Sequence, residues 1–175
     1  MLAHASRQPA VWIILDVRRI PTRIPVSDYP DGIDYEWFAV DAVGHIAAFT
    51  TGGSGPIPAV ALADSETEDA LDGFLLRLPV RGCATMLVSL PRPDDFIAFA
   101  ERGLFAYDWA DVHRAARNYR GVYEIYSRPT SPISISELPP QFQSLLRQRA
   151  FGEMQFDNSA FVDVRALMRC NEPSA

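Results

Sequence analysis

Residues Tyr35 to Thr51 read YEWFAVDAVGHIAAFTT, and this stretch decides the fold. Two segments rich in aromatic and apolar residues, YEWFAVD and HIAAFTT, flank the break Ala42-Val43-Gly44. Asp41 can hydrogen-bond its own turn backbone, and Gly44 can adopt the positive φ that closes such a loop. Successive strand side chains point to opposite faces, so Trp37 and Ala39 share one face while Phe38 and Val40 share the other. Both faces are apolar, and a strand buried on both sides belongs in the middle of a sheet. The stretch predicts a central hairpin.

Working outward, Val11–Val17 reads as a buried strand, and Pro21, Pro25 and Pro30 keep the chain irregular up to Asp31-Gly32. Gly52-Gly53-Ser54-Gly55-Pro56 breaks the second hairpin strand. Ser65 and Glu68 fit a capping box, which predicts a helix from Ser65 to about Leu78. Ala70, Leu71, Phe74, Leu75 and Leu78 form its inward stripe, and Glu66, Glu68, Asp69 and Asp72 its outward side.

Cys83–Leu90 predicts another buried strand, stopped by Pro91 and Pro93. Asp94 or Asp95 caps a short helix carrying Phe96, Ile97, Phe99 and Ala100, and Gly103 ends it. Leu104–Tyr107 and Val122–Ser127 read as strands, with a helix from Asp108 to about Arg117 between them. Ile133 and Ile135 suggest one more short strand. Pro139 and Pro140 open a helix presenting Phe142, Leu145 and Leu146, which Gly152 can terminate. The tail 171–175 reads as loose. Paired strands mixed with three or four helices predict an α+β fold: a single domain built on a mixed or antiparallel sheet. No strand leads into a dinucleotide-type glycine fingerprint, which disfavours a doubly wound parallel sheet.

The chain has 175 residues, enough for one well-filled core, with 48% hydrophobic and 22% charged residues. No apolar run approaches the roughly 20 residues that span a bilayer. The first ten residues lack the pattern of a cleaved export signal, so a cytoplasmic setting is expected. There Cys83 and Cys170 are expected to stay reduced, Cys83 as a small buried residue.

Charge is sorted along the chain. Between Ile24 and Leu76 there is no lysine or arginine, yet that segment carries ten of the 22 acids. All 16 basic residues lie elsewhere, and every one is arginine. The absence of lysine excludes a Schiff-base lysine, a phosphate-loop lysine and a kinase-type lysine. A net charge of −6 without a basic stripe argues against nucleic acid as the ligand. Instead the acidic segment predicts a negative field that attracts a basic partner.

Aromatic residues interleaved with these acids suit an interface, because aromatics supply hot-spot energy while rim charges steer encounter. The expected partner-binding residues are Tyr29, Asp31, Asp34, Tyr35, Glu66, Asp69 and Asp72, with Gly53 and Ser54 in the exposed glycine loop. That loop has no following lysine, so strand exit explains it better than phosphate binding. Asp108, Asp111 and His113 are the types that ligate hard metals, but placement of the two aspartates at the start of a helix explains them better, so no metal is expected. No cofactor is expected, and no serine or cysteine sits in a nucleophile motif.

The stretch Tyr35–Pro58, YEWFAVDAVGHIAAFTTGGSGPIP, and the later tract Tyr126–Leu138, YSRPTSPISISEL, together resemble small bacterial proteins of the immunity type that accompany toxin systems. The resemblance implies a cytoplasmic inhibitor that binds a toxin domain; it carries over no site residues. Two other classes stay open: a carboxylate- or metal-dependent hydrolase, and a self-associating structural module whose sheet edge pairs with a copy of itself.

Overall fold

The computed structural model describes residues 30–109, 121–165 and 167. The fold is α+β, with helices packed on a mixed seven-stranded sheet. Strand β1 (Glu36–Asp41) and β2 (Ile46–Thr50) form the expected hairpin. Asp41 Oδ1 accepts from the Val43 and His45 amides at 3.0 and 2.8 Å, and Gly44 takes φ +88°. The order across the sheet is β3 (Ala84–Met86), β5 (Tyr123–Pro129), β4 (Phe105–Trp109), β2, β1 and β6 (Ala150–Phe151), and β7 (Phe161–Val162) also pairs with β5. The hairpin is therefore interior, as its two apolar faces require. Parallel pairs β2/β4 and β1/β6 alongside antiparallel neighbours make the sheet mixed.

Each face carries its own core. On one, Trp37, Phe49, Tyr107, Tyr123 and Phe156 pack with α1 (Ala59–Leu62) and the chain's later turns. On the other, Phe38, Val40, Ile46 and Ala48 meet α2 (Ser65–Leu75), α3 (Asp94–Glu101) and α4 (Pro140–Arg147) through Leu71, Leu75, Phe99, Phe142, Leu145 and Leu146. Full burial of such side chains contributes about 1.5–3 kcal/mol each, which is why the alternation in β1 was so informative.

Several local expectations differ from the fold. The cap of α2 is Asp64, whose Oδ1 accepts from the Thr67 amide at 3.0 Å. Ser65 is thereby the first helical residue, and the helix ends three residues earlier than expected. Ala70 is exposed and Glu68 is buried, the reverse of their predicted faces. Residues 83–90 yield only the three-residue edge strand β3, with alternating exposure, because it has a partner on one side only. Cys83 is exposed there, not buried.

Pro93 precedes α3 without a side-chain cap, and Asp94 and Asp95 lie in its first turn. Asp108 is a strand residue in β4. Ile135 opens a 3-10 turn boxed by Ser134 and Glu137, not a strand. Helix α4 stops at Arg147, well before Gly152, since Ala150 and Phe151 pair alongside Val40 and Asp41. The readings of Val11–Val17, of the helix beyond Asp108 and of 171–175 lie outside the described residues.

Glycine is required at Gly103, which turns the chain from α3 into β4 with φ +95°. A Cβ there would meet the Ile133 nitrogen and the Ser131 oxygen, each at 2.8 Å.

Candidate functional site

The first carboxylate of the hairpin, Glu36, sits on the same side of β1 as Phe38 and so faces the helical layer. Helix α2 runs past this end of the strand and delivers Glu68, Asp69 and Asp72. The result is a cleft of about 300 Å³ lined by Asp34, Tyr35, Glu36, Glu68, Asp69 and Asp72. Two segments far apart in the acidic stretch are thus brought to one place.

The five carboxylates are not equivalent. Asp34 leans away to hold the glycine loop, accepting from the Gly52 amide at 2.8 Å and the Thr51 hydroxyl at 3.2 Å. Glu68 is 2% exposed and meets the fully buried Arg149, whose Nη1 stands 2.5 Å from Glu68 Oε2. Arg149 also donates to the Phe38 and Val60 carbonyls, each at 3.3 Å, so its charge is used inside the fold. Glu36, Asp69 and Asp72 have no ion-pair partner among the described residues.

Crowding of like charge in a partly dry cleft has the expected consequence. Burial, with Asp72, Asp34 and Asp95 nearby, raises Glu36 from 4.5 to about 7. Burial, then Asp69, also raises Asp72. Glu68 is raised too, because burial outweighs the attraction of Arg149. Burial, with Glu68 the next cause, raises the Tyr35 phenol. Such a cleft can do two things chemically: hold a guanidinium or ammonium group, or exchange a proton near neutral pH through Glu36.

Of the predicted partner-binding residues, the cleft gathers Asp34, Tyr35, Asp69 and Asp72. Asp31 and Glu66 are exposed outside it. Gly53 and Ser54 form a turn tied back to Thr51 and Gly32. Tyr29 lies outside the described residues. Glu36 and Glu68 were missed as site residues. A lone carboxylate opening a strand apolar on both faces was the available signal for Glu36. Nothing local marks Glu68, because its partner comes from much later in the chain.

Asp108 Oδ1 accepts from the Thr50 hydroxyl at 2.9 Å across β2 and β4, while Asp111 and His113 lie outside the described residues. No group of three or more His, Cys, Asp or Glu side chains able to share a metal ion occurs among the described residues. No helix among them is long and apolar enough to cross a membrane.

The chain matches no protein-family model, and it gives no significant match to a curated protein or a solved structure. The site must be read from its chemistry.

Proposed function

We propose that this protein is a binding module that takes a cationic side chain of a basic partner into the cleft between β1 and α2, acting in the cytoplasm as an immunity-type inhibitor of a toxin domain. One observation carries the reading. Five carboxylates line a single cleft, and Arg149, which meets Glu68 behind it, is spent on that carboxylate and two backbone carbonyls. An arriving guanidinium would relieve repulsion between Glu36 and Asp72 while Tyr35 offers an aromatic wall. The surrounding negative field would raise association rates by about 10- to 1,000-fold.

The test is binding of the purified full chain to basic toxin domains, followed by titration against salt. Tight binding that weakens with salt, is lost with Asp72→Arg and abolishes the toxin's activity supports the reading. Binding indifferent to both salt and Asp72→Arg would remove the acidic cleft from the account.

Glu36, raised to about 7, favours one second reading: a carboxylate enzyme using Glu36 for proton transfer. It predicts a hydrolytic activity that Glu36→Gln abolishes without unfolding the protein.

A further inference from the structure

Glu36 is faced by acids from three sides. Asp34 precedes β1, Asp72 comes from α2 and Asp95 from the first turn of α3, and Asp72 acts on it most strongly of the three. Thr50, its partner across the hairpin, brings no positive charge, and its hydroxyl donates to Asp108 of β4. Arg149, the arginine that meets α2, is held by Glu68. His45 sits at the turn end of the hairpin, a strand's length away. Asp72 Oδ1 is closed to solvent and accepts no hydrogen bond among the described residues. A carboxylate oxygen in that state costs free energy that either a proton or a cation in the cleft can relieve. Glu36 keeps its proton up to about 7, which removes one negative charge from the group.

We propose that a guanidinium entering the cleft displaces the proton of Glu36, so that the basic partner is gripped at neutral and alkaline pH and let go in mild acid. This rests on the cation-binding reading of the cleft and adds its regulation. The carboxyl O–H bond of Glu36 breaks, the proton passes to water or buffer, and the carboxylate faces the cation. No other bond changes. A nearby positive charge favours the charged form of Glu36. By reciprocity, protonation of Glu36 weakens the hold on the cation by the same factor. The guanidinium keeps its own charge below about pH 12, so the switch belongs to the protein.

Calorimetric titration of the full chain with a short oligoarginine peptide at low salt, from about pH 5.5 to about pH 8.5, tests it. Affinity should rise about tenfold or more up to about pH 7.5 and then level off. At about pH 6.5 binding should release roughly 0.5–1 proton, read from the heat measured in buffers of different ionisation enthalpy. Glu36→Gln should remove most of the rise and of the proton release. Asp72→Asn keeps Glu36 but takes away the strongest like charge facing it, so the rise should move to lower pH. Both changes remove crowded charge, and thermal melts should show both variants folded. An affinity that is the same across this pH range, or a Glu36→Gln variant with the wild-type rise, would overturn the inference while leaving the cation site in place. A peptide that binds at no pH would overturn the site and the inference together.

Discussion

Glu68 Oε2 and Arg149 Nη1 meet at 2.5 Å with both side chains closed off from solvent. Glu68 comes from α2, and Arg149 from the turn leading into β6. The pair ties a helix to the sheet on which it packs, and its Glu68 lines the acidic cleft. Burying two charges is costly, so the pair stabilises the fold mainly by denying either charge a lonely burial.

Arg149→Met should therefore lower stability by about 3–5 kcal/mol, since it leaves the Glu68 carboxylate buried and uncompensated. Replacing both residues, Glu68→Leu with Arg149→Met, should cost much less than the single change. Urea unfolding of the wild type, both single variants and the double variant measures the coupling. Additive losses would mean that the two charges act independently.

Glu36 should make stability depend on pH. Its folded value of about 7 exceeds the ordinary 4.5, so the folded state holds the extra proton between those values. Stability then falls as pH rises from about 4.5 to 7 and levels off above. Glu36→Gln should flatten that slope and stabilise the protein at pH 8 by on the order of 1–2 kcal/mol, less than the full shift implies because the cleft is open to solvent. Chemical unfolding across that pH range gives the answer.

Phe49 stacks on Trp37 with ring centroids 4.4 Å apart, on Tyr107 at 5.1 Å, and meets Tyr123 edge-on at 5.2 Å. Phe49→Ala should cost about 3–5 kcal/mol, because three rigid rings cannot close on the cavity. A midpoint shift in urea with unchanged slope would show that stability alone had moved.

Gly103→Ala should cost about 2–3 kcal/mol. It combines a left-handed backbone, φ +95°, with a Cβ placed 2.8 Å from the Ile133 nitrogen and the Ser131 oxygen. Gly152→Ala is the control, since nothing lies within 4 Å of its Cβ position. Thermal unfolding of the two variants should separate them clearly.

The hairpin was fully legible because its evidence is local. Alternation in YEWFAVD, the Asp41 side chain and Gly44 all act within a few residues. Strand β3 misled because CATMLVSL is apolar enough to suggest burial, whereas β3 takes the sheet edge and leaves Cys83 and Leu87 exposed. Helix α4 looked longer than it is because periodicity does not register that Phe151 is needed beside β1. The cleft was half legible: Asp34, Tyr35, Asp69 and Asp72 stood out by charge and aromatic content, while Glu36 and Glu68 did not.

On its own, the amino-acid order determined which segments could be strands, which faces could be dry, and that ten acids between Ile24 and Leu76 would have no arginine from the same segment to offset them. Tertiary structure alone decided that Glu68 turns inward to Arg149 and that Glu36 shares a cleft with Asp72. The division is physical. Side-chain alternation and helical spacing are set by bonds between near neighbours, whereas desolvation and ion pairing depend on which distant groups packing brings within a few ångströms.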